Sequence, residues 1–571
     1  MPSAIRITAH ANCDDVFIYW RIDEPINDCW GFALEREMRD ATSTSRSWVE
    51  NRVGFKTQPG EPGEHQPTTK WPFQRFSWTD HKVNTGDKVR YRVHGVVTDH
   101  DGGLEVDQDH TSAWTPWMEL CGAVGNGLEC FFNRGLVMSQ FMARYLRRLK
   151  QELGTDDDDV VLRHFKGTLQ QHDAPIRVFL TGDLGAKMTA LLAEIASGNG
   201  HVFGALYELD DDGLLDDLKA IGARAHIVLA NGSVDSPGRD QNRRARTALR
   251  QAGVDVYDRM TNTGSNRRLG HNKFLVFTDT QQRPKVVWTG STNWTETGLC
   301  TQVNNGLLLR DADVARTYFS QWERLRDAGG AFPAELLTEN TQPKQPQTNG
   351  YDTTVWFTCC RQRADWAALD QVIADAHEGI LFLMFQPGSA GQMKTILTRR
   401  RQDPNLYVHG VISSAQGEDL EFDAVGATGI HSGKLQVVEP SGTPGGIARW
   451  ALKEVTRNQF SANIGHAIVH SKVIVTDPLT NPVVITGSHN FSISASEKND
   501  ENFVIIRGHQ ALARAYSAHI MSVYHHYRWR AYLQKAAAAN VDPWAGLKET
   551  DDWQQGHLRG ASRKEMEFWV P

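Results

Sequence analysis

The sequence predicts an α/β protein: two pseudo-symmetric αβα lobes that share one active site, preceded by an N-terminal β-sandwich. Three observations lead there. Residues 1–118 alternate apolar and polar positions between turn-rich stretches. The remainder alternates strand and helix patterns twice, on either side of a polar linker, and one motif-bearing segment occurs twice. The length of 571 residues, with 40% hydrophobic and 23% charged residues, is that of a globular protein with several cores. A net charge of −7 offers no overall attraction to polyanions, although a local basic cleft can form on an acidic protein.

Residues 1–118 read as an immunoglobulin- or fibronectin-like sandwich. Ile5, Ile7 and Ala9 alternate with polar neighbours, as do Phe76 and Trp78, and Val89, Tyr91 and Val93; residues 16–22 form a buried-strand run. Residues 125–335 form the first lobe. There Leu136, Val137, Phe141 and Tyr145 recur at helical spacing, with Arg144, Arg147 and Arg148 on the wet side. A strand (201–209), a helix (214–221), a strand (225–230) and a basic helix (241–251) follow. Residues 336–351 are the linker, polar and proline-bearing (TENTQPKQPQTNGY from Thr338). Residues 352–540 form the second lobe, with a helix at 364–376 and strands at 380–385 and 406–412, and residues 541–571 are a C-terminal tail. The glycine-rich stretch 413–465, with GATG at 426–429 and GTPGG at 442–446, reads as a lid or a loop through which substrate enters.

The internal repeat carries the chemistry. The first copy is HNKFLVFTDTQQRPKVVWTGSTNW (271–294) and the second HSKVIVTDPLTNPVVITGSHNF (470–491). Each opens with H-x-K, runs through two apolar stretches joined by a turn, and closes on T-G-S-x-N plus an aromatic. Asn293 precedes Asn305, and Asn490 precedes Asn502, by the same 12 positions, each ahead of another strand.

A period of two puts the His and Lys of H-x-K on one face of a strand. The returning Gly-Ser-x-Asn adds a hydroxyl and an amide that can donate to an oxyanion. One copy supplies half a site. Two copies supply His271 and His470, Lys273 and Lys472, Ser291 and Ser488 as phosphate-binding hydroxyls, and Asn293 and Asn490 around one pocket. Such a pocket suits a phosphodiester. One imidazole attacks phosphorus to form a phosphohistidine, while the other protonates the leaving oxygen and later deprotonates water or an alcohol. The lysines and asparagines stabilise the equatorial oxygens. Fixed cations fill the usual role of a metal, so no metal and no cofactor are expected.

These motifs resemble those of the phospholipase D superfamily, H-x-K-x4-D followed by G-S/G-x-N, over roughly residues 130–535. The second copy fits fully, with Asp477; the first has Thr278 at the motif aspartate, with Asp279 one position late. The resemblance implies that this aspartate is structural. It also implies an acidic residue 11 positions after the motif Asn that orients a histidine: Glu501 fills this place in the second copy and Asn304 in the first. Family precedent favours His271 as nucleophile and His470 as acid/base.

The expected substrate is a phospholipid, hydrolysed or transferred to an alcohol, at a membrane surface. A metal-independent nuclease is the alternative, supported by the basic segments 239–250, 267–268 and 399–401; a non-catalytic binding module is the third reading. A monomer is expected. The N-terminus has no signal-like pattern and no apolar run spans a bilayer, so the reading is cytoplasmic or peripheral to the membrane. His466, four before His470, lies in a β-branched context that argues against a helical metal pair. Seven cysteines without ligand spacing read as core thiols, and the acidic runs 156–159 and 210–212 as solvated loop charges. The arginines of the basic helix read as a solvated face, with a phosphate-facing rim as the alternative.

Overall fold

The computed structural model describes residues 5–39, 43–61, 64–135, 140–234, 238–263, 268–387, 390–413, 436–438 and 469–571. Leu136 and Val137, Arg267, His466 and nearly all of the glycine-rich 413–465 stretch lie outside them.

The N-terminal alternation becomes two antiparallel sheets. Val16–Arg21 pairs with Arg6–Ala11 on one side and Ser77–Asp80 on the other. In the second sheet Gly31–Arg39 lies between Thr44–Trp48 and Lys88–Thr98, and the latter also pairs with Leu104–Thr111 and Met118–Glu119. The fully buried Trp20 of one sheet meets Phe32 of the other edge-on, with ring centroids 5.8 Å apart. The C-terminal tail is also structured. Its helix Gly560–Trp569 buries Trp569 against Phe17 and Tyr19, and Thr8 Oγ1 donates to the Trp569 carbonyl at 2.9 Å.

Each lobe is built on a mixed sheet. The first orders Leu128–Phe132, Asn305–Leu309, Pro284–Gly290, Lys273–Thr278, His201–Leu206, Ala225–Ala230 and Asp255–Arg259, with Ala123–Gly125 added at the edge. The second orders Asp352–Phe357, Asn502–Arg507, Val483–Gly487, Val473–Thr476, Gly379–Met384, Tyr407–Ile412 and Gln436–Val438. Motif strands occupy the same places in both. The pairings run antiparallel up to the strand before the motif and parallel beyond it. Every residue of Lys273–Thr278 and Val473–Thr476 is buried, which is why these runs are continuously apolar rather than alternating.

Several expectations change in detail. The linker begins inside a helix, Ala334–Asn340, and Lys344 then bridges Val355 at the edge of the second sheet, through N–H···O bonds of 2.9 and 2.8 Å. Asp211, read as solvated, is buried: it caps the helix Asp212–Ile221 through the N–H groups of Gly213 and Leu214 and pairs with Arg177 at 2.8 Å. In the basic helix Arg243–Gln251, Arg246 is buried between Asp240 and Asp258, Arg250 also binds Asp258, and Arg244 binds Asp212. Six of the seven cysteines are buried, and all are free thiols.

The two lobes join through a pseudo-twofold set of hydrogen bonds. Thr289 Oγ1 donates to Asn502 Oδ1 at 2.6 Å, and Asn305 Nδ2 donates to Thr486 Oγ1 at 2.8 Å. Tyr318 and Tyr516 complete the pair from the helices Ala312–Ala328 and Gln510–Ala538. The equal spacing of Asn305 and Asn502 in the repeat thus lets the side chain of one asparagine from each lobe bond to a strand of the other's sheet. Among the described residues no helix is long and apolar enough to cross a membrane.

Candidate active site

The histidines enter the site just ahead of the motif strands: His271 and Asn272 precede Lys273–Thr278, whose first residue is the motif lysine, and His470 to Lys472 precede Val473–Thr476. The backbone is fixed from the opposite lobe, since His470 N–H donates to the Val303 carbonyl at 2.9 Å and Asp500 N–H to the Leu269 carbonyl at 2.8 Å. Each lysine folds back on its own histidine. Lys273 Nζ donates to the His271 carbonyl at 2.8 Å, and Lys472 Nζ to the His470 carbonyl.

The residues that face the imidazoles are exchanged between the lobes. His271 Nδ1 lies 2.7 Å from Glu501 Oε2, and His470 Nδ1 lies 3.0 Å from Asn304 Oδ1. Glu501, read as the orienting group of its own copy, serves the histidine of the other; Asn304 does the same in reverse. The motif serines lock these acceptors. Ser488 Oγ donates to Glu501 Oε2 at 2.9 Å and Ser291 Oγ to Asn304 Oδ1 at 2.7 Å, so the hydroxyl protons expected on a phosphate are directed at the orienting groups instead. The same hydroxyls accept the N–H of Asn305 and Asn502. Glycine precedes each serine because the returning strand passes so close: a Cβ on Gly290 would lie 2.2 Å from the Asn305 carbonyl, and one on Gly487 2.3 Å from that of Asn502.

Four residues that the motifs did not flag complete the halves. Tyr207 packs edge-on to His271 with centroids 4.6 Å apart, and Phe385 does so to His470 at 4.7 Å. Lys273 Nζ lies 4.9 Å from the Tyr207 ring centre and Lys472 Nζ 4.8 Å from that of Phe385. Glu208 follows Tyr207 and accepts from Asn293 Nδ2 at 2.7 Å; Gln386 occupies the equivalent place after Phe385. Tyr-Glu and Phe-Gln each follow the strand next to the motif strand, so aligning the two lobes one strand further upstream would have found them. Asn490 is the second-copy counterpart of Asn293, and the Oδ1 of each is buried without a partner among the described residues.

The motif aspartates stand outside this pocket. Asp477 accepts N–H bonds of 2.7–3.1 Å from His377, Glu378 and Gly379, fixing the loop that feeds the strand Gly379–Met384. Asp279 instead ties its own hairpin through Gln281 and Arg283, and Thr278 donates to the His201 carbonyl at 3.4 Å.

The site is buried and electrostatically tense. His271, Lys273, His470, Lys472 and Glu501 are at most 4% exposed. Burial, then the neighbouring lysines, holds both histidines well below their ordinary pKa, so both imidazoles are neutral near pH 7. Burial also lowers Lys273 to about 7, although Glu501 and Glu208 oppose it; burial and then the Lys273 charge hold Lys472 well below its ordinary value. Glu501 is raised to about 7 by burial, against the pull of Lys273. With Glu501 or Asn304 Oδ1 accepting at Nδ1, each ring presents Nε2 as the free nitrogen.

A family model described as "Cardiolipin synthase, PLD-like domain" matches residues 191–326 and 439–523, which contain the two motifs. No curated protein matches the chain. Among solved structures, phosphatidylserine synthase from Haemophilus influenzae Rd KW20 aligns at 12% identity with a TM-score of 0.39, covering 62% of this chain and 92% of that one. Nuc from Salmonella typhimurium, a phospholipase D family member, aligns at 20% identity and 0.19, covering 33% and 95%. Yeast tyrosyl-DNA phosphodiesterase aligns at 10% identity and 0.31, covering 57% and 87%. Two motif-bearing lobes closing on paired imidazoles define a phosphodiesterase-type enzyme. The two matched segments, which hold both motifs, are similar to the phospholipase D-like domain that this family model describes.

Proposed function

We propose that the protein cleaves a phospholipid phosphodiester through a covalent phosphohistidine on His271, passing the phosphatidyl group to water or an alcohol. The exchange of orienting groups carries this reading. His271 alone has a carboxylate at Nδ1, which makes Nε2 the better nucleophile and stabilises the cationic ring once a P–N bond forms. His470 has a neutral amide at Nδ1, which lets its imidazolium form give up a proton more readily. The entering phosphodiester anion offsets Lys273 and Lys472, so His470 takes up a proton as substrate binds and can deliver it to the leaving oxygen. The same nitrogen then accepts the proton of water or alcohol, and attack on phosphorus releases His271. Lys273, Lys472 and the second N–H of Asn293, with Asn490, stabilise charge on the non-bridging oxygens. Glu208, Ser291, Ser488 and Asn304 position these groups.

A lipid is favoured over a nucleic acid because several arginines of the basic segments are engaged internally. Arg244, Arg246 and Arg250 bind aspartates. Arg399 binds the Ala376 carbonyl and Asp403, and Arg400 the Asp403 carbonyl. Phosphate-backbone binding requires free cations along a track. The family model's description, which names a phospholipid synthase, points the same way. Acid-quench trapping with labelled phosphatidylcholine vesicles plus ethanol, and in parallel with labelled single-stranded DNA, both without metal, tests the proposal. Labelled phosphohistidine and phosphatidylethanol from the lipid are expected. Label retained only from DNA would replace the lipid reading with the nuclease one.

A further inference from the structure

A cavity of 510 Å³ lies apart from the histidine pair, where the N-terminal sheets meet the first lobe and the long helix Gln510–Ala538. Four carboxylates line it, and each already has a cation: Asp14 with Arg134, Asp15 with His81, Asp80 with Arg36, and Glu50 with Lys82. Two guanidiniums on its wall are left over. Arg52 and Arg75 have no hydrogen-bond acceptor among the described residues, and both lie against Trp78, at 5.9 and 5.7 Å from its ring centre. The buried carboxylate of Glu565 attracts Arg75 but also Arg528, so it offsets one of these three guanidiniums and leaves two charges over. Arg52 also lies 4.5 Å from the Trp529 ring centre. Burial holds both arginines down, to about 10. Two further lining groups, each no more than 5% exposed, have an unpartnered polar atom: Thr79 Oγ1 and His519 Nε2.

Two guanidiniums half-buried against tryptophan rings without hydrogen-bond acceptors are better accommodated when an anion joins them. We propose that this cavity is a second anion site that binds an organic phosphomonoester dianion, its phosphate between Arg52 and Arg75 and its apolar portion against Trp78 and Trp529. Guanidinium pairs match phosphate geometry, and a dianion matches the two spare charges. The cavity wall includes Val303, whose carbonyl holds His470 N–H, and Asn133, whose Oδ1 accepts Asn304 N–H at 2.7 Å. An occupant therefore rests on the backbone that fixes His470. Phosphatidic acid and a soluble phosphomonoester share the required headgroup chemistry.

The test uses the full chain carrying Lys273→Met and Lys472→Met, which removes the catalytic cations. It is titrated calorimetrically with phenyl phosphate, and by flotation with vesicles containing phosphatidic acid. One binding site is expected to survive, and Arg52→Gln or Arg75→Gln is expected to weaken it at least tenfold. Binding of phenyl phosphate identifies a soluble occupant; binding of the vesicles alone identifies the lipid. If neither binds, or if binding ignores both arginine substitutions, the proposal is overturned. Should an arginine variant fail to fold, tryptophan fluorescence of the Lys273→Met/Lys472→Met protein must saturate with phenyl phosphate or with the phosphatidic acid vesicles, or the idea falls. Failure of the catalytic reading would appear separately, as absence of phosphohistidine in the native protein.

Discussion

The Nδ1 atom of His271, in the first half of the chain, lies 2.7 Å from Oε2 of Glu501, in the second. The histidine proposed as nucleophile is thus oriented by a carboxylate of the other lobe, and neither lobe holds both members of this pair. Glu501→Gln keeps the shape and removes the charge. It is expected to slow phosphoenzyme formation at least about 10²-fold in single-turnover quench experiments, with the fold intact by circular dichroism. His271→Ala should form no phosphoenzyme, whereas His470→Ala should accumulate it. Rapid turnover in both alanine variants would eliminate the two-histidine scheme.

The pH profile follows from the same pair. Glu501 is raised to about 7 and Lys273 lowered to about 7 by burial, while both imidazoles are already neutral there. Raising pH through about 7 ionises Glu501 and favours attack; going further discharges Lys273 and weakens phosphate binding. kcat/KM is therefore expected to trace a narrow bell centred near pH 7. Glu501→Gln should remove its acidic limb and spare the alkaline one. An acidic limb unchanged by that substitution would mean that another group controls it.

Asn304 offers the converse test. Replacing it with Asp puts a negative charge at His470 Nδ1, which favours the imidazolium and raises the pKa of the acid/base. The alkaline limb of kcat should move up by about one unit or more, while phosphoenzyme formation at acidic pH changes little. A limb that stays in place would exclude His470 as the group that protonates the leaving oxygen.

Much of this site was legible because the repeat states each half separately. The two H-x-K and G-S-x-N motifs, spaced alike, located His271, Lys273, His470, Lys472 and the serine and asparagine partners. Which half serves which could not be read, because a repeat specifies each unit and not how the two face one another. The crossing of Glu501 to His271 and of Asn304 to His470 is a property of the interface. Tyr207 and Glu208 escaped for a related reason: they follow a neighbouring strand, and their counterparts Phe385 and Gln386 differ in chemistry although not in place. The arginines of the basic helix read as a solvated face, yet Arg246 is a buried staple, since only tertiary contacts reveal the aspartates opposite it.

Asp477 and Asp279 look alike in sequence but are unequal in the fold. Asp477 satisfies three backbone N–H groups at the entrance to a central strand. Asp477→Ala leaves those donors unpaired and should cost on the order of 3 kcal/mol, seen as a clear fall in Tm. Asp279→Ala loosens a surface hairpin and should move Tm far less. Equal shifts would show that the first-lobe aspartate carries the structural role in spite of its displaced position.

The lobes are also joined by an ion pair sealed from water. Arg259 and Asp500 are each no more than 2% exposed, with Nε 2.8 Å from Oδ2, and Arg259 donates further to the carbonyls of Gly329 and Ala331. Removing one partner strands the other charge where water cannot reach it, at a cost of about 3–5 kcal/mol. Asp500→Ala and Arg259→Met should therefore each lower Tm sharply. The double replacement Arg259→Met/Asp500→Leu removes both charges at once, so its shift should be smaller than the sum of the two single shifts. Additive shifts would mean that the pair contributes no coupling, and that the lobes are held by their other hydrogen bonds, such as Thr289–Asn502 and Asn305–Thr486, and by packing.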